Sequence, residues 1–162
     1  FRAAEISYAL HRFRRLRWVD RRRLFLVGRS EGGLAVAQFR GREFRARVIV
    51  AWTCHGASLV RGLAAPSDEP VLAVVRADDP WYAASKVRGQ RGDCGAFFGQ
   101  RPRSRSLVLK MGGRNHDVFS NAGAIRTILD FLSTESKRRV SRRSLQSMIG
   151  APAPTTPKRY VR

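Results

Sequence analysis

Ile6, Ala9, Leu10, Phe13 and Leu16 recur at three- and four-residue steps, which sets them on one helical face with Arg12, Arg14 and Arg15 largely elsewhere. This spacing predicts an amphipathic helix over residues 3–17. After a turn at Asp20 the pattern changes to a short apolar run, Leu24 to Val27, that stops at Gly28, as a buried strand does. Gly32 to Phe39 then carries Leu34, Ala35, Val36 and Ala37 and reads as a helix closed by Gly41. Three more apolar runs follow: Arg47 to Trp52, Val71 to Arg76 after the turn-rich Pro66 to Pro70, and Ser106 to Met111 before Gly112 and Gly113. Ile125, Ile128, Leu129 and Leu132 return to helical spacing over Ala122 to Leu132, with Asn121 placed to cap it. Between Pro80 and Gly99 the composition suggests a short helix with a loop. Four apolar strands separated by helical segments predict an α/β fold with a mostly parallel sheet flanked by helices.

The turn between the first strand and its helix reads Gly28-Arg29-Ser30-Glu31-Gly32, a G-x-S-x-G pattern. That pattern suits a nucleophilic serine, because a side chain presented on a sharp strand-to-helix turn leaves no room for bulky neighbours. A serine is a weak nucleophile unless a base removes its proton and an acid orients the base, and in this arrangement both follow in the order serine, acid, histidine. Asp78 and Asp79 follow the strand Val71 to Val75, and a carboxylate there lies on the same sheet edge as the serine. His116 follows the strand Val108 to Met111, on the loop before the last helix. His11 lies on the first helix and His55 precedes the acid, so chain order selects His116.

From Val19-Asp20 through Leu24 to Ala37 the chain resembles the serine turn of dienelactone hydrolase-like and prolyl-oligopeptidase-like α/β-hydrolases. Ala77-Asp78-Asp79-Pro80-Trp81 is similar to their acid loop, and Gly113 to Phe119 to their histidine loop. The resemblance spans about residues 3–134. It implies a serine hydrolase acting on a small-molecule carboxylic ester, with Ser30 as nucleophile, Asp79 ahead of Asp78 as acid, His116 as base, and the backbone N–H of Glu31 in the oxyanion hole. Arg76 departs from the pattern, since such acid loops commonly have Gly there. The family fold also has several strands before the serine turn, whereas one helix precedes it here. The chain is therefore expected to form the carboxyl-terminal half of such a fold, as a partial domain over residues 1–135. The loop that supplies a second oxyanion donor is expected to be absent, with weak or no activity as the consequence. The first strand is expected to present an unpaired edge that invites self-association.

Charge adds a competing possibility. The 162 residues hold 32 Lys and Arg against 12 Asp and Glu, a net charge of +20, and 28 of the basic residues are arginine. Clustered cations bind phosphate by releasing counterions. The basic residues are spread along nearly the whole chain, and of the groups at Arg12 to Arg23, Arg101 to Arg105 and Lys137 to Arg143 only the first contains aromatic residues, Phe13 and Trp18, so solvated charge is favoured over a nucleic-acid or polyanion surface. Residues 136–162 are basic and end in a proline-containing stretch, which predicts a partly flexible tail.

No cofactor is expected: Ser30 occupies the place of the second glycine of G-x-G-x-x-G, and G-K-[ST] is lacking. Cys54 and Cys94 form no C-x-x-C pair, so no metal site is expected and buried thiols are favoured over a bridge. That preference sets the cytoplasm ahead of an oxidising compartment. No apolar run approaches the roughly 18 residues of a membrane span, and the opening residues lack the order of a secretory signal.

Overall fold

The computed structural model describes residues 2–56, 60–82, 91–113 and 115–138. Within them the order is α1 (Arg2–Phe13), β1 (Phe25–Arg29), α2 (Glu31–Gln38), β2 (Ala46–Val50), β3 (Val71–Arg76), β4 (Arg105–Leu109) and α3 (Ala122–Lys137), with single 3₁₀ turns at Arg21–Arg23 and Cys94–Phe97. The four strands form one sheet in the order β1-β2-β3-β4, every pair parallel. The expected α/β class is therefore the class observed.

Alternation within the two central strands builds both halves of the core. Ile49, Val71, Ala73 and Val75 pack with Val36 and Ala37 of α2. Val48, Val50, Leu72 and Val74 face the other way, against Ala124, Ile128 and Phe131 of α3. A strand buried on both faces needs apolar residues at every position, which is why β2 and β3 read as continuous runs. α1 lies beside α2, where Leu10 joins Phe39 and Phe44 in a third cluster.

Arg47 is the exception inside β2. It is fully buried, and its guanidinium meets Glu69 at 2.8 and 3.0 Å while donating to the carbonyls of Val36, Phe39 and Gly41 at the end of α2. A buried cation is tolerated when it is paired and all its donors are used. Arg47 thus ties the last turn of α2 to the strand behind it.

Three expectations need adjustment. The first helix ends at Phe13 rather than residue 17, because Arg15 and Leu16 donate to carbonyls three residues back, tightening the chain into turns. Cys54 and Cys94 are not buried thiols: they form a disulfide, with Cα atoms 4.9 Å apart, joining the segment after β2 to the 3₁₀ turn before β4. A bridge persists in oxidising compartments, which withdraws the ground for preferring the cytoplasm. α3 runs on to Lys137, five residues beyond the predicted end. The tail from residue 139 lies outside the described residues, as do residues 83–90 of the segment between Pro80 and Gly99 where a short helix was expected; the described part of that segment holds the 3₁₀ turn Cys94–Phe97. β1 pairs only with β2 and is an edge of the described sheet. No helix of the described residues is long and apolar enough to cross a membrane.

Candidate active site

Ser30 directly follows β1, Asp79 lies in the turn after β3, and His116 lies on the loop between β4 and α3, so all three are on segments that leave the carboxyl ends of parallel strands. β1 delivers the chain to Ser30, whose φ of 55° and ψ of −118° are rarely adopted by a residue with a side chain. Holding it there costs about 1–3 kcal/mol. The surroundings impose it: the Ser30 N–H donates to the Val50 carbonyl at 2.9 Å, and its carbonyl accepts from Leu34 N–H at 3.0 Å in the first turn of α2. A serine serving only as a helix cap would be extended, with its side chain on a backbone N–H. Asn121 does this before α3, at φ −99° and ψ 110°, accepting from Ala124 N–H. Ser30 makes no such cap hydrogen bond.

Glycines make the turn sterically feasible, though not the pair that G-x-S-x-G suggests. A Cβ on Gly28 would stand 2.2 Å from the Gly32 carbonyl oxygen, and one on Gly33 would stand 2.8 Å from the Val50 oxygen. One on Gly32 would meet nothing within 4 Å. Gly28 and Gly33 therefore let α2 pack against β1 and β2. Glu31 opens α2, and the first N–H groups of a helix have no partner within it. The Glu31 carboxylate is turned away to Arg2, at 3.0 and 3.1 Å.

Two neighbouring carboxylates follow β3, and they part company. Asp78 forms a bidentate pair with Arg76 at 3.0 and 3.1 Å, which holds its carboxyl below the usual range. Asp79 is fully buried, where its Oδ1 accepts from Trp81 N–H at 3.0 Å and its Oδ2 lies 2.6 Å from Nδ1 of His116. With a carboxylate as partner, the network assigns the Nδ1 proton to His116 and leaves Nε2 as the basic nitrogen. That Nε2 is buried with no hydrogen-bond partner, so it makes no bond to Ser30 here. Tyr82 and Trp81 flank the imidazole, with ring centroids 5.8 and 6.4 Å away. Tyr82 donates its hydroxyl to the Ala51 carbonyl at 2.7 Å, and burial raises its phenol so that it stays a donor.

The serine turn and the histidine loop also meet directly: Arg29 lies 3.7 Å from Asp117. The other histidines stand apart. His11 is exposed on α1, and the Nε2 of His55 lies 3.2 Å from the Asp93 carbonyl oxygen, beside the disulfide. Among the described residues no group of three or more His, Cys, Asp or Glu is placed to hold a metal ion. Sequence reasoning missed the contributions of Gly33, Tyr82 and Arg76. Only Arg76 gave a signal, as a large cation where a glycine was expected.

Four parallel β-strands flanked by helices make this an α/β fold, with Ser30 at its first strand-to-helix turn. No family model and no curated protein matches the chain in sequence. Solved structures match it in fold. The crystal structure of Arabidopsis thaliana SOBER1 superposes with a TM-score of 0.53 at 14% identity, covering 83% of this chain and 63% of that one. A single-substitution variant of SOBER1 gives a TM-score of 0.51 at 13% identity, covering 83% and 65%. Likeness at such identity shows the fold, and this chain spans less than two thirds of the length of either structure.

Proposed function

We propose that this chain carries the catalytic residues of a serine hydrolase acting on a carboxylic ester or related acyl bond, with Ser30 as nucleophile, His116 as base and Asp79 as orienting acid. The observation that carries the reading is the backbone of Ser30, which keeps a costly positive-φ conformation while its side chain makes no cap hydrogen bond. Strain of this kind fits a side chain that must stand clear of its own turn.

In the proposed reaction His116 Nε2 takes the Ser30 hydroxyl proton as Oγ attacks the carbonyl carbon. The oxyanion accepts from Glu31 N–H. Collapse expels the alcohol, protonated by His116, and leaves an acyl-serine. Water, deprotonated by the same nitrogen, then releases the acid and restores Ser30. Asp79 stabilises the imidazolium at each stage without taking its proton. The missing Ser30–His116 bond is compatible with this route, since such contacts are often loose until substrate binds. Glu31 is the one oxyanion donor assigned, and each such donor contributes about 10²- to 10³-fold in rate. The dienelactone hydrolase-like character of the acid and histidine loops belongs to the same proposal.

The test is hydrolysis of chromogenic acyl esters of graded chain length by the wild-type chain, Ser30→Ala and His116→Ala. Release of chromophore that disappears in both variants is the expected result. Equal release by wild type and Ser30→Ala would remove Ser30 from the chemistry.

A further inference from the structure

Arg76 ends β3 with its side chain 3% exposed and all three of its guanidinium nitrogens engaged. Nε and Nη2 hold Asp78 of the acid loop at 3.1 and 3.0 Å. Nη2 also donates to the carbonyls of Gly112 and Gly113, each at 2.8 Å, and Nη1 donates to the carbonyl of Asp117 at 3.3 Å. Those carbonyls lie on both sides of His116 in sequence. Gly112 and Gly113 have φ of 69° and 72°, so the chain leaving β4 bends sharply just where the guanidinium receives it. One planar cation thus gathers the acid loop and both shoulders of the histidine loop, and Asp78 balances its buried charge.

We propose that Arg76 is a positioning residue for His116, fixing the histidine loop so that Nδ1 stays on Asp79 and Nε2 faces Ser30. The proposal rests on the serine-hydrolase reading above. A guanidinium suits the task because its donors lie in one plane at fixed angles and can serve several acceptors at once. Lysine carries the same charge on a single nitrogen and cannot span the same carbonyls. The large residue that breaks the expected glycine pattern of the acid loop is, on this reading, what replaces other means of holding the loop.

Two readouts test it in wild type, Arg76→Lys and Arg76→Ala. The first is the proton NMR signal of the His116 Nδ1–H, assigned by its loss in Asp79→Asn. The second is the rate of phosphonylation of Ser30 by a fluorophosphonate. Circular dichroism and cooperative unfolding establish that each variant is folded. The expected result is a signal broadened or lost in Arg76→Ala and a labelling rate lower by about 10²-fold, the scale of a misplacement near 1 Å. Added guanidinium, kept well below unfolding concentrations, should recover part of that rate in Arg76→Ala and none in Arg76→Lys. Should Arg76→Ala not fold, Arg76→Lys decides, with an intermediate loss in both readouts expected. A folded variant that keeps the wild-type signal and rate overturns the role of Arg76 alone. Wild-type protein that shows no labelling at Ser30 overturns the hydrolase reading and this proposal with it.

Discussion

Nδ1 of His116 lies 2.6 Å from Oδ2 of Asp79, linking the loop after β4 to the loop after β3 where the aspartate side chain has no solvent exposure. Its other oxygen is committed to Trp81 N–H at 3.0 Å. An Asp79→Asn side chain can keep its oxygen on Trp81, which turns the amide nitrogen toward His116. Nδ1 would then have to accept, and the proton would move to Nε2, where the base is needed. The expected result is a fall in kcat of about 10⁴-fold with little change in fold, measured by ester hydrolysis beside circular dichroism.

The glycines of the serine turn should separate in stability measurements. Gly28→Ala drives a methyl into the Gly32 backbone and Gly33→Ala drives one into the Val50 carbonyl, so each should lose about 1–3 kcal/mol or more. Gly32→Ala has open space around its new methyl and should gain up to about 1 kcal/mol from better helix propensity. Urea denaturation of the three variants gives the ranking. A Gly32→Ala variant as damaged as Gly28→Ala would contradict this packing.

Asp78 provides the pH dependence. Its carboxyl is held below the ordinary value of 3.8 by the hydrogen bonds from Arg76, so its folded-state pKa is depressed. A depressed carboxyl adds stability above its unfolded pKa, and that contribution disappears as pH falls through the folded value. The gap in melting temperature between wild type and Asp78→Asn should therefore be full at neutral pH and narrow below about pH 3.8. A gap that stayed constant into acid would mean that the ion pair is not its source.

The Cys54–Cys94 bridge closes a loop with a sequence separation of 40. The chain-entropy model gives about 4 kcal/mol for a loop of this length. The Cys54→Ser, Cys94→Ser double variant, or wild type under reductant, should lose stability on that scale. Denatured, unreduced protein should show no free thiol toward a thiol reagent, and two free thiols would disprove the bridge.

Where the sequence was informative, the information was local. Val71 to Arg76 was bounded correctly as β3, because a strand covered on both faces is apolar throughout and a proline-rich turn precedes it. Asn121 announced α3 through a capping preference that acts over three residues. Features set by distant partners were hidden. Arg47 within a strand gives no hint of Glu69, 22 positions away, and two cysteines 40 apart give no geometry from which to infer a bond. Gly33 was overlooked for a similar reason, since its constraint comes from the Val50 carbonyl on the next strand and not from the motif around Ser30. At the candidate site, the strands before them were enough to single out positions 79 and 116, whereas which of Asp78 and Asp79 reaches His116 depends on where one arginine points.

The nucleophilicity of Ser30 is tested by covalent labelling of the folded chain with a fluorophosphonate probe, with the adduct located by mass spectrometry and Ser30→Ala as control. A serine activated by His116 and Asp79 predicts one adduct, on Ser30, absent from Ser30→Ala and strongly reduced in His116→Ala. Well-folded protein that takes up no probe, or takes it up equally in Ser30→Ala, would contradict the assignment of Ser30 as a nucleophile.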